Sequence, residues 1–235
     1  TEEEAGMDLV GHLVKSLYGT RDAAANFQGE VKKVMEAAKF TTGKYNVCTF
    51  HHKERNIRTL VHGDDFVSVG RRKDMRWMEE MLAKRFEIKT KKIGRGKEES
   101  REAKVLNRVI RVTEEGWEYE ADQRHGELIV RGLGLEEAKG VATPGEDAKP
   151  WSEEEEETEL SSSQGADYRG LGARANYLAT DRPDIQYSVK EVARSMSAPR
   201  KTDWKKVMRI ARYLKGRPRV RALYSYQGRA TTIKG

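Results

Sequence analysis

An internal disulfide is excluded from this chain, because its 235 residues include a single cysteine, Cys48. That usage fits a reducing, intracellular compartment. No apolar run approaches the roughly 18–20 residues that a membrane span needs. The N-terminal T-E-E-E-A-G has no initiator Met and no apolar signal-peptide core, so the chain reads as the middle of a longer one. There is no internal repeat. A zinc-site spacing is also lacking. Cys48, His51, His52 and His62 form a C-x2-H-H run and a distant partner, which matches no structural zinc pattern, and strand alternation separates His51 from Cys48 and His52. Apolar residues are scarce, at 37% against 35% charged, so a core depends on gathering them into periodic segments. Charge leans positive, with 45 Lys and Arg against 38 Asp and Glu and a net charge of +7, which favours an anionic partner such as nucleic acid.

The periodic segments alternate in type. Leu13 to Ala37 predicts a helix, with Phe27, Val31, Met35 and Ala38 on one stripe. Tyr45 to His51 predicts a strand that carries Tyr45, Val47 and Thr49 on one face, and Lys53–Asn56 a hairpin connection. Ile57–Val61 and Phe66–Val69 complete a β-meander. A helix with Met75, Met78, Leu82 and Phe86 inward follows, with Asp74 near its start. The basic loop Lys89–Lys97 comes next, a charged loop that can also contact a nucleic-acid backbone. Val105–Val112 and Trp117–Tyr119 predict a further hairpin, and Gln123–Leu133 a helix. The acidic, Ser-rich stretch Trp151–Gly165 reads as a mobile linker. Three helices end the chain. Tyr168, Leu171, Ala175 and Leu178 line the first. The second has Asp181 as its candidate N-cap, Pro183 in its first turn, and Ile185, Val189, Val192 and Met196 on one stripe. The third starts at Thr202 and ends before Gly216, with Trp204, Val207, Ala211 and Leu214 inward.

Within the meander, the run L-V-H-G-D-D-F-V-S-V-G from Leu60 to Gly70 places Asp64 and Asp65 together at a turn. Adjacent like charges repel, and a divalent metal is the common chemical reason to pair them, because hard cations take carboxylate oxygens. Turn chemistry alone is the other explanation, since Asp is favoured in turns. On the last helix, Lys205, Arg209 and Arg212 share a face opposite Trp204. Such a face can track phosphates or be an ordinary solvated surface.

Four segments, in order, resemble the reverse transcriptase of copia-type LTR retrotransposons. K-S-L-Y-G-T-R-D-A-A-A-N-F (Lys15–Phe27) resembles the family's L-Y-G-L-K-Q-A-x-R-x-W helix. V-H-G-D-D (Val61–Asp65) resembles its Y-V-D-D hairpin, and A-T-P-G (Ala142–Gly145) its T-P marker. Tyr168–Val189 resembles its Y-R-x-L-V-G-x-L-x-Y-L-x-x-T-R-P-D-I segment, a match extended by W-K-K-V-M-R-I-A-R-Y-L-K-G.

The resemblance implies an α+β fold: a partial polymerase palm at 1–106 with an antiparallel sheet and flanking helices, a thumb-like region at 107–150, the linker at 151–165 and a helical connection at 166–235. It implies RNA-directed DNA polymerisation on a primer–template with dNTP, using Mg²⁺ or Mn²⁺ held by Asp64 and Asp65 as catalytic carboxylates. His62, Gly63, Lys15 and Arg21 would contact nucleotide or primer, and Lys205, Arg209 and Arg212 the nucleic-acid backbone. The alternative is a catalytically incomplete, nucleic-acid-binding remnant.

The chain departs from the family pattern at His62 and Gly63, which replace Tyr and Val, and at Arg21-Asp22-Ala23, which replaces K-Q-A. The family's third carboxylate, on an earlier strand, has no counterpart here; Asp8 stands too close to the Lys15 segment to supply it. The remaining partners would be the upstream fingers and palm and a downstream RNase H segment of the parent polyprotein. The setting would be intracellular, either cytoplasmic in virus-like particles or nuclear. A palm without its full fingers leaves apolar surface uncovered. The isolated chain is therefore expected to associate or to be poorly soluble, and a monomeric elution profile with a cooperative melt would contradict this.

Overall fold

Alternating polar and apolar residues from Thr49 to Val69 build the first sheet. The computed structural model describes residues 12–146 and 158–228 and divides into two compact units, 1–90 and 91–235. In the first unit β1 (Thr41–Thr42), β2 (Thr49–His52), β3 (Ile57–His62) and β4 (Asp65–Val69) pair antiparallel in chain order. The register sets Phe50 opposite Thr59, Thr59 opposite Ser68, and Val61 opposite Phe66. Phe50, Ile57 and Val61 share a core with Val31 and Met35 of α1 (Ala23–Ala37) and Met78 and Leu82 of α2 (Arg72–Ala83). Both helices thus bury the stripes their spacing predicts.

Two expectations fail in this unit. The helix begins at Ala23, not at Leu13. Gly19 at φ +91° and the Thr20 hydroxyl donating to the Leu17 carbonyl turn the chain just ahead of it. Tyr45 and Val47 stand exposed in a turn, not on a strand. There the Asn46 side chain accepts from the Cys48 N–H, and its carbonyl accepts from the Thr49 hydroxyl, so local bonds displace the ladder. His52 is a core residue. Its ring meets Phe40 and Trp77 edge-on at 5.1 and 5.4 Å, and its Nδ1 accepts from the Arg55 N–H. The Arg55 guanidinium lies 4.0 Å from the Trp77 ring centre and pairs with the buried Asp74 at 3.1 Å.

The second unit has its own antiparallel sheet, β5 (Glu102–Val105), β6 (Arg108–Val112), β7 (Gly116–Glu120) and β8 (Arg221–Ser225), again in chain order. Its helices are α3 (Gln123–Gly132), α4 (Ser162–Ala179), α5 (Gln186–Ala193) and α6 (Lys201–Gly216). They enclose Ile129, Tyr168, Ala175, Leu178, Ile185, Val189, Val192, Val207, Ile210 and Leu214. The buried Tyr168 hydroxyl donates to the Val192 carbonyl at 2.6 Å. The chain is therefore α+β, with six α-helices and two four-stranded antiparallel sheets among the described residues.

Here too the structure corrects the sequence reading. Val105–Val112 is not one strand, because Leu106 and Asn107, at φ +46° and +66°, make a two-residue turn between β5 and β6. Of the stretch read as a linker, residues 151–157 lie outside the described residues. Ser162–Gly165 open α4, with the Ser161 hydroxyl accepting from the Gln164 N–H as its cap. Asp181 caps no helix. A 3-10 turn (Pro183–Ile185) precedes α5, and the Asp181 carboxylate accepts from Arg108 and from the Tyr119 hydroxyl. The last part of the chain is not all helical, since β8 returns to pair with β7.

Glu120 anchors that return. Its side chain is 1% exposed and accepts both Arg219 Nε and Nη2, at 2.6 and 2.8 Å, together with Arg111 at 2.5 Å and the Gln123 amide. Hydrogen bonding from Arg219, then from Arg111 and Gln123, overcomes burial and holds its pKa at about 2, below the ordinary 4.5. A lowered carboxylate pKa stabilises the fold above the unfolded value, and that stabilisation disappears as pH falls through the folded value. Glu120→Gln is expected to cost about 3 kcal/mol at pH 7, near the low end for breaking a buried pair because Arg219 is half solvated. In urea unfolding the cost should shrink between pH 4.5 and 2, where Glu120 itself loses its charge. A cost independent of pH would contradict the assignment.

Candidate functional site

Asp64 and Asp65 stand at the tip of the β3–β4 hairpin. His62 pairs with Asp65 across the turn, so Gly63 and Asp64 are its two central residues. Gly63 takes φ +60°, while Asp64 is not among the residues with positive φ. A positive φ at the first central position, on glycine, is the pattern of a type II′ turn, whose twist suits an antiparallel pair. Behind the tip, Val61 is buried and pairs with Phe66, which fastens the hairpin to the core. His62, Gly63, Asp64 and Asp65 are all exposed. β4 is one edge of the sheet, and among the described residues no strand of this unit lies beside its outer backbone groups.

Magnesium is usually held by one or two carboxylates, with water and substrate phosphates completing six ligands. Asp64 and Asp65 match that carboxylate count. Among the described residues no group of three or more His, Cys, Asp or Glu side chains is placed to hold a metal, so a two-ion clamp needs further donors. Asp8 lies outside the described residues.

The other residues singled out in the sequence lie elsewhere. Lys15 and Arg21 are on the exposed turn segment ahead of α1, and neither makes an ion pair or hydrogen bond to the hairpin. On α6, Lys205 is exposed, but Arg209 donates to Glu146 Oε2 at 2.7 Å and to the Thr143 hydroxyl at 2.9 Å. Arg212 Nε donates to the Lys139 carbonyl at 2.9 Å. The segment from Lys139 to Glu146, which contains the A-T-P-G run, is thus strapped to α6 by two of the three cations assigned to phosphate.

Against curated proteins, 52 residues of the chain are 38% identical to the Retrovirus-related Pol polyprotein from transposon RE2 of Arabidopsis thaliana. The match covers 22% of this chain and 4% of that protein's length. The likeness supports an origin in a retroelement Pol polyprotein. No known family profile and no solved structure matches the chain.

A second polar and aromatic cluster, in the 91–235 unit, escapes sequence reading because β6, β7, α3 and α4 each supply part of it. His125 of α3 packs on the Tyr177 ring of α4 at 4.7 Å between centroids. Arg174, one turn earlier on α4, reaches His125 Nδ1 at 3.4 Å. Arg108 of β6 lies over Tyr177 at 5.9 Å and is paired with Asp181 at 2.8 Å. The Tyr119 hydroxyl donates to the same carboxylate, and burial with that bond raises its pKa to about 12. Burial also lowers His125, with Arg174, Arg124 and Arg108 adding to the effect and Asp122 opposing it.

The hairpin makes one direct conformational demand. Nothing lies within 4 Å of a Cβ built on Gly63, so Gly63→Ala meets only the cost of its positive φ. That cost is expected to be about 1 kcal/mol in urea unfolding. An unchanged midpoint would show that the turn adapts.

Proposed function

We propose that this chain is a fragment of an RNA-directed DNA polymerase of a copia-type retrotransposon, in which Asp64 and Asp65 supply two of the metal-binding carboxylates. The observation that carries the proposal is the pair itself. Two adjacent exposed carboxylates sit at a hairpin tip, Asp64 in its two-residue turn and Asp65 at the start of the next strand, in a sheet backed by two helices. The partial likeness to a transposon Pol polyprotein supports it. In this reading 1–106 is a partial palm, 107–150 belongs to the thumb, and the later helices form the connection. A bound magnesium would neutralise phosphate charge during nucleotidyl transfer. The protein's own part is to present Asp64 and Asp65 on a rigid hairpin, with His62 beside them and side-chain-free Gly63 allowing the primer backbone to approach. The primer–template and dNTP are the proposed substrates.

A second reading, a nucleic-acid-binding remnant without catalysis, draws on the donor set, since no third acid joins the pair among the described residues.

Primer extension separates the two. The 235-residue chain with Mg²⁺ or Mn²⁺ is expected to extend a primer at background level. The chain lengthened upstream in its own reading frame is expected to extend it, and Asp64→Asn in that longer chain to lower the rate by at least about a hundredfold, the scale of a lost electrostatic contact to the reacting group. Retained activity in Asp64→Asn would overturn the assignment of the pair. An inactive lengthened chain that still binds primer–template would favour the remnant.

A further inference from the structure

Tyr177 is 48% exposed, yet its surroundings are fixed. His125 packs against the ring at a 51° tilt, and Arg108, over it, is held by Asp181. The ring is therefore positioned before any ligand arrives, which lowers the ordering cost of binding. Beside it, Arg174 meets a ring nitrogen and, among the described residues, no carboxylate. A guanidinium only donates, so His125 Nδ1 must accept; the ring proton then sits on Nε2, which faces Asp122 Oδ2 at 3.9 Å. His125 is neutral in that arrangement, and among the described residues no carboxylate pairs with Arg174.

We propose that Tyr177 and Arg174 form a contact for single-stranded nucleic acid, with an unpaired base stacking on the Tyr177 ring and a flanking phosphate meeting Arg174. A half-exposed aromatic ring one helical turn from a cation suits both parts of a nucleotide, and every base has a π-face to offer. α5 repeats the pairing at Tyr187, which is 73% exposed with Lys190 Nζ 5.5 Å from its ring centre. An acidic peptide could satisfy the cations but would gain nothing from a flat ring. The proposal rests on the nucleic-acid reading above and adds to it a contact in the second unit for the unpaired strand.

Binding of a 5′-labelled 12-nucleotide single strand to the full chain, followed by anisotropy at two salt concentrations, tests it. Tyr177→Ala is expected to weaken binding by about tenfold, the scale of one lost base stack, while Tyr177→Phe stays within about twofold because the ring remains. Arg174→Ala should flatten the salt dependence by about 0.7 in log–log slope, one phosphate's share on a single strand. A blunt duplex should bind Tyr177→Ala and the native chain alike. Ultraviolet cross-linking of a 5-bromouracil strand, mapped by mass spectrometry, should place the adduct at Tyr177 in the unmutated chain, so the proposal does not depend on the alanine variant folding. If the native chain binds no single strand, both this proposal and the nucleic-acid reading fall. If it binds and Tyr177→Ala binds equally well, or the adduct maps elsewhere, this proposal alone falls. Competition by poly-glutamate that is lost in Arg174→Ala but kept in Tyr177→Ala would overturn it in favour of a peptide partner.

Discussion

A glutamate cannot be buried as an anion unless cations come to it, and that requirement at Glu120 organises the second unit. Arg111 reaches it along the neighbouring strand, Gln123 from the first turn of α3, and Arg219 from the segment that leads out of α6. Those three attachments fix where α3 leaves the sheet and where the chain re-enters it as β8. Arg182 plays a comparable part close by, against the same segment that carries Arg219. It is 2% exposed, pairs with Asp184 at 2.8 Å, and donates to the Arg217 carbonyl just ahead of β8. The first unit has a smaller version, in which Arg55 joins the β2–β3 turn to buried Asp74 at the start of α2 while lying on Trp77. In each case the charged group fixes a chain crossing, and the apolar cores fill in around it.

Helix stripes were legible because a 3.6-residue period leaves a redundant signal. Val31 with Met35, Met78 with Leu82, and Val207 with Ala211 and Leu214 all point inward as spacing demands. The β3–β4 hairpin was legible because glycine between apolar alternations is a strong turn signal. The β5–β6 turn was hidden because Leu106 is a poor residue for positive φ. β8 was missed because its residues, R-A-L-Y-S, are selected by pairing with β7 and not by burial, and most of them are exposed. Asp181 looked like a helix cap on local grounds. Its partners Arg108 and Tyr119 lie more than sixty positions away in sequence, and local propensity carries no information about them.

The surplus of positive charge overstates the surface open to nucleic acid. Arg209 and Arg212 strap a loop to α6, Arg111 and Arg219 neutralise Glu120, and Arg182 is buried with Asp184. These guanidinium groups act as multi-donor ties between backbone and carboxylate, a use to which their planar fork is suited. Net charge is therefore a weak guide to any one helix face. Arg174 differs from them in position more than in chemistry, because its nearest polar partner is a neutral ring.

The same distinction between position and composition bears on the aspartates. A type II′ turn requires glycine at its first central position and accepts Asp at the second, so Gly63 and Asp64 need no explanation beyond the turn. Asp65 is different. It is the first residue of β4, paired with His62, and Asp is disfavoured at a strand position. It also places a second negative charge beside the first, which turn chemistry does not require. A cation shared by the two carboxylates would account for both costs at once. The weight of the functional proposal therefore rests less on Asp64, the conventional turn residue, than on its neighbour.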